Sequence, residues 1–177
     1  TTREHLQTLY YLGFRRASFG VQDYDPQVQK AINRIQPFEN VKRVTEMARE
    51  IGYKGVSHDL VFGLPFHTWE KMEYTIRKTL ELKPGRLAFY SYAHVPWIKG
   101  VGQRGFDEND LPSGEEKRKL YTNGKKLLEE LVAYYIQAKE NGERPHSVVF
   151  DLMQWLKENL ESKARSFADI FSFAQQA

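Results

Sequence analysis

Cysteine is missing altogether from the 177 residues, which excludes disulfides and cysteine-ligated zinc. The absence fits a reducing compartment, and we expect a cytoplasmic protein. No apolar run approaches the roughly 18 residues that a membrane-spanning helix needs, so no such helix is expected. The opening Thr1-Thr2-Arg3-Glu4-His5-Leu6 lacks the charged-then-apolar order of a signal peptide. It lacks an initiator methionine as well, and we expect further sequence upstream. Nor is there a large surplus of one charge: the net charge is +3, and the basic clusters Lys117-Arg118-Lys119 and Lys125-Lys126 are short. Without an arginine-rich stripe or interleaved aromatics they read as solvated helix faces, not as a nucleic-acid surface. His5, His58, His67, His94 and His146 show no close metal-ligand spacing. Gly-rich phosphate loops and a nucleophile elbow are absent too.

What is present is an ordinary globular composition, 41% hydrophobic and 28% charged. Leu6, Leu9 and Tyr10 share a face of a short first helix that Gly13 stops. Arg15 to Gln22 reads as a strand, and Asp25-Pro26 opens a helix with a good cap and a favoured first residue. Val41, Val44, Met47 and Ile51 recur at helical spacing before Gly52. Lys54 to Phe62 is the next strand, ended by Gly63-Leu64-Pro65. Thr68 caps a helix with the stripe Trp69, Met72, Ile76 and Leu80, and Arg86 to Tyr92 is a third strand. Strands alternating with helices in this way predict parallel, right-handed βαβ units. Three are too few to close an eight-stranded barrel. The fold class expected is therefore α/β, a partial (β/α) barrel or small open sheet. After a Gly-rich link, Ser113 caps a helix carrying Leu120, Leu127, Leu128 and Leu131. Further helices are expected around Val148 to Leu160 and Phe167 to Ala174. The character changes from β/α to all-helix near residue 130, which predicts a β/α part over 1–130 and a helical tail over 131–177.

Ligands in β/α sheets sit at the carboxyl ends of the strands. There lie Gly20-Val21-Gln22-Asp23, Asp59 to Pro65, and Tyr92-Ala93-His94-Val95-Pro96. The Gln22 amide can donate to and accept from a ligand, or it can cap the loop Asp23-Tyr24-Asp25. Asp59 interrupts an apolar strand and needs a partner, since an unpaired buried charge is costly. A ligand hydroxyl or ammonium, Arg34, or a neighbouring histidine would serve. Arg34 suits a ligand carboxylate, or else stands exposed at a helix end.

These segments, with Asn33-Arg34 and Leu111-Pro112-Ser113, resemble in order and spacing the oxygen-independent coproporphyrinogen III oxidases. The likeness covers about residues 1–130, as a central fragment of that radical S-adenosylmethionine (SAM) family of haem biosynthesis. Asp23 and the Tyr-Ala-His segment favour this branch over related haem chaperones. The resemblance implies that Gln22, Arg34, Asp59 and Ala93 contact SAM, which is cleaved reductively at a [4Fe–4S] cluster. The resulting radical abstracts hydrogen from two propionate side chains of the porphyrinogen substrate, each losing carbon dioxide. Yet the family's cluster cysteines are absent, so the chain alone is expected to hold no cluster and to have no turnover. Two alternatives are a non-catalytic nucleoside- or SAM-binding scaffold and a haem carrier using His94. An open sheet edge makes self-association a further expectation.

Overall fold

The computed structural model describes residues 1–95 and 106–140, with the backbone alone for 131–140. Its centre is a three-stranded parallel sheet in sequence order, β1 (Arg16–Gln22), β2 (Gly55–Phe62) and β3 (Arg86–Ser91). Helix α1 (Arg3–Tyr11) precedes it, α2 (Pro26–Ala31) and α3 (Phe38–Ile51) connect β1 to β2, and α4 (Trp69–Glu81) connects β2 to β3. A short 3₁₀ turn, Glu108–Asp110, leads into α5 (Gly114–Glu140). This is the expected α/β class, three parallel β/α units followed by a helical part. The predicted division at residue 130 falls inside α5, and the helices expected beyond 140 lie outside the described residues.

Local chemistry sets the element limits. The Asp25 carboxylate accepts from the amides of Gln27 and Val28, with Pro26 in the first turn. Gly52 closes α3 in the left-handed conformation at φ +107°. Thr68 caps α4, and Ser113 and Glu116 cap the start of α5 reciprocally.

Alternation along β2 divides the sheet into two unlike faces. Val56, His58, Leu60 and Phe62 are buried, whereas Ser57, Asp59 and Val61 are only half-buried. The first set packs under the helices. Val21, Leu60, Phe62 and Phe89 join Met72 and Ile76 of α4 and Leu120 of α5 in the main core. Leu6, Ala48, Tyr53 and Val56 form a second cluster between α1, α3 and the sheet. Burying Met72 or Ile76 contributes about 2–3 kcal/mol each. Leu9, expected on the inner face of α1, is exposed, because α3 meets α1 along Leu6 and Tyr10 instead. The other face carries the polar residues Ser18, Ser57 and Asp59 along the strands, with Gly20 close to the end of β1.

Candidate functional site

The first strand ends irregularly. Register with β2 shifts between Gly20 and Gln22, so that Gly20 lies opposite Asp59 and Gln22 opposite Leu60. The amide of Asp23 donates to the carbonyl of Val21 at 3.0 Å across Gln22, whose φ is +67°. That is a γ-turn of the rare, strained hand. A turn of this kind costs on the order of 1–3 kcal/mol and persists only where its surroundings over-determine it.

Gln22 does not cap the loop that follows. Its side chain folds back over Gly20, where an added Cβ would lie 2.7 Å from Nε2. Arg34 reaches the same spot: an added Cβ would lie 3.0 Å from its Nη2, which donates to the Gly20 carbonyl at 2.7 Å. Buried Gln29 fixes the loop that delivers Arg34. Its Nε2 donates to the carbonyls of Asp23 and Gln36 at 2.9 and 2.8 Å, and its Oε1 accepts from the Gln36 amide at 2.8 Å. Arg34 is exposed, yet held. A cleft of about 460 Å³ opens on its side of β1, lined among others by Ser18, Gly20, Arg34, Gln36 and Arg43.

Asp59 accepts from the hydroxyl of Ser18 on β1 at 2.9 Å. The partner is thus neither Arg34 nor a histidine, because strand alternation puts His58 on the opposite face. One serine hydroxyl does not exhaust a carboxylate that can accept about four hydrogen bonds. Gln22 and Arg34 therefore meet over bare Gly20, with Asp59 opposite it on β2. Ala93 lies apart, exposed beyond the end of β3. There Lys117 of α5 crosses Gly63, where a Cβ would meet its side chain at 2.7 Å, and donates to the Tyr92 carbonyl. His94 faces Glu108 at 3.2 Å and packs against Tyr92 and Phe106.

Residue chemistry alone missed a second, buried set. Asp23 is 1% exposed, and every polar atom it has is engaged. Its Oδ2 accepts from Thr75 Oγ1 at 2.9 Å and His67 Nε2 at 3.0 Å, and its Oδ1 from the Asp25 amide at 2.6 Å. Its carbonyl accepts from Gln29. His67 Nδ1 accepts from the amides of Gly63 at 3.1 Å and Leu64 at 3.4 Å. A nitrogen that accepts carries no proton, so the ring's single proton is on Nε2 and points at Asp23. The available signal was the His67-Thr68 pair just after Gly63-Leu64-Pro65, a polar residue where the helix cap has already been supplied.

The open set offers donors, acceptors and a charge on a bare backbone patch, which suits a polar small molecule carrying a carboxylate, hydroxyls or an ammonium group. It does not suit a metal. Among the described residues no group of three or more histidine, aspartate or glutamate side chains could hold one. Among them, too, no helix is long and apolar enough to cross a membrane.

Residues 1–79 match the Radical SAM superfamily. Within that superfamily, the chain is a relative of oxygen-independent coproporphyrinogen III oxidase. The enzyme of that name from Helicobacter pylori is 47% identical over 137 residues, which are 77% of this chain and 28% of that protein. The one from Synechocystis is 42% identical over 118 residues, 67% of this chain and 25% of that protein. Coproporphyrinogen III oxidase from Escherichia coli, described as a radical SAM enzyme, superposes with a TM-score of 0.65 at 36% identity. The match covers 78% of this chain and 30% of that one. A radical SAM methyltransferase from Kitasatospora setae shares the fold alone, at a TM-score of 0.50 and 19% identity. The chain thus spans between a quarter and a third of the length of these oxidases.

Proposed function

We propose that this chain carries SAM-binding strand ends of an oxygen-independent coproporphyrinogen III oxidase. The observation that supports this reading best is the convergence of Gln22 and Arg34 on bare Gly20, beside the under-used carboxylate of Asp59. In this reading Asp59 accepts from a ligand hydroxyl or ammonium and Arg34 meets the carboxylate. The Gln22 amide donates and accepts at the turn, and Ala93 leaves room for the ligand beyond β3. SAM supplies a radical for hydrogen abstraction when a reducing iron–sulfur cluster cleaves it. The chain's own residues do not fit that cluster, since there is no thiolate to hold it. Oxidation of coproporphyrinogen, the relatives' activity, therefore requires polypeptide that supplies the cluster, and this chain by itself binds without turnover.

Titration calorimetry with SAM tests the reading. We expect saturable binding that weakens on Asp59→Ala while the circular dichroism spectrum stays unchanged. Absence of binding would leave the motif a packing device, and equal binding by the variant would remove Asp59 from the site. The outer edges of β1 and β3, each with one strand neighbour among the described residues, favour pairing with a second copy. Light scattering across a concentration series should then show mass above 20.8 kDa.

A further inference from the structure

We infer that Asp23, His67 and Thr75 form a latch that holds the strained turn at Gln22 and fastens it to the turn after β2. Asp23 and His67 thereby become positioning residues of the ligand edge. The inference rests on the reading of Gln22 as a ligand contact, but its structural half stands separately.

The need for a latch comes from Gln22. A non-glycine residue at φ +67° in a γ-turn relaxes toward an ordinary strand conformation unless the next residue is held. Asp23 is that residue. Its amide closes the turn, its carbonyl is tied to Gln29, and its carboxylate accepts from three donors on three segments. Thr75 is doubly used, accepting from the Tyr24 amide at 3.0 Å while donating to Asp23.

His67 extends the hold to β2. Gly63, at φ +78°, and Leu64 direct their amides at Nδ1 rather than toward the open edge. The imidazole thus passes one relation across the sheet: amides of the second turn, ring, carboxylate of the first. Moving either turn breaks the chain of bonds, so both strand ends keep one relative placement. The polarity is specific. An acceptor must face Gly63 and Leu64, and a donor must face Asp23.

That polarity gives the test, since glutamine can reproduce it and leucine can only fill the volume. The full chain is compared with His67→Gln, His67→Leu and Asp23→Asn by amide hydrogen exchange, imidazole ¹⁵N NMR and SAM titration. We expect the Nε2–H tautomer in the parent chain. Exchange at Gly63, Leu64 and Asp23 should accelerate at least about tenfold in His67→Leu and Asp23→Asn, and less in His67→Gln. SAM affinity should fall in the same order, by roughly tenfold, the equivalent of one lost hydrogen bond. Unchanged exchange in His67→Leu, or the Nδ1–H tautomer, would overturn the latch. Accelerated exchange with undiminished SAM affinity would overturn the positioning role. A parent chain that binds no SAM but shows the exchange pattern keeps the latch and refutes the ligand reading instead. If His67→Leu fails to fold, Thr75→Val against Thr75→Ser poses the same question, the serine retaining the hydroxyl.

Discussion

Gly20→Ala separates the fold of this chain from its candidate site. The new methyl group would sit 2.7 Å from Gln22 Nε2 and 3.0 Å from Arg34 Nη2. Both atoms are tips of flexible side chains, so the side chains give way and the strand need not move. Relieving a glycine in a strand interior gains about 0.5–1 kcal/mol in chain entropy. Against this, the Arg34 bond to the Gly20 carbonyl is lost. At an exposed position such a bond is worth no more than about 1 kcal/mol. The two terms nearly cancel, and unfolding free energy should stay within about 1 kcal/mol of the parent.

Binding should respond very differently. Displacing both Gln22 and Arg34 removes well-placed hydrogen bonds worth about 1–3 kcal/mol together, or roughly ten- to hundredfold in Kd. Urea unfolding followed by circular dichroism reads the first quantity, and titration calorimetry with SAM reads the second. A stability loss above about 3 kcal/mol would show that the backbone itself needs the bare position. Full affinity with normal stability would show that neither side chain touches the ligand.

Gln22→Gly should raise stability by about 1 kcal/mol, since glycine accepts the positive φ of the turn without strain, yet weaken SAM binding; a lower urea midpoint would refute the strain. Gly124→Ala should destabilise the chain by about 1–3 kcal/mol despite its helix propensity, since the Cβ would press the Phe89 ring at 2.9 Å and Met72 at 3.0 Å. Thermal melting measures that loss. Burial, aided by the positive charge of Arg49, lowers the His58 pKa from 6.5 to about 4. The unfolded chain therefore takes up a proton at a pH where the folded chain does not. Stability is complete above pH 6.5 and falls by up to about 3 kcal/mol as the pH drops to about 4. Urea midpoints between pH 7 and 5 should decline, and His58→Gln should flatten that decline.

Much of the fold was legible because its signals are local. Thr68, Asp25-Pro26 and Gly52 mark helix ends by hydrogen-bonding capacity or backbone freedom that needs no tertiary partner. Alternation along β2 was harder to read, since His58 and Asp59 are adjacent polar residues of opposite fate. His58 is 0% exposed against Thr45 of α3, and Asp59 stands on the open face with Ser18. Only the pairing of strands decides which is which. The partner of Asp59 was illegible for the same reason, as Ser18 lies 41 positions away and no periodicity links them.

The segment Gly20-Val21-Gln22-Asp23 shows what kind of information a motif hides. Residues in a strand point alternately to its two faces, and the γ-turn lets this segment keep that division past its last regular residue. Gly20 and Gln22 face the open side, whereas Val21 and Asp23 enter the core. A motif read as one ligand-binding unit therefore contains two machines. One touches the ligand, and the other bears the strain that presents it. Asp23→Ser illustrates the consequence. Serine at that position keeps one acceptor oxygen where the carboxylate had two, so the donors of Asp25, Thr75 and His67 cannot all be met. A chain with serine there must relax the turn or remove a donor elsewhere. Either change alters how Gln22 is offered without altering Gln22 itself.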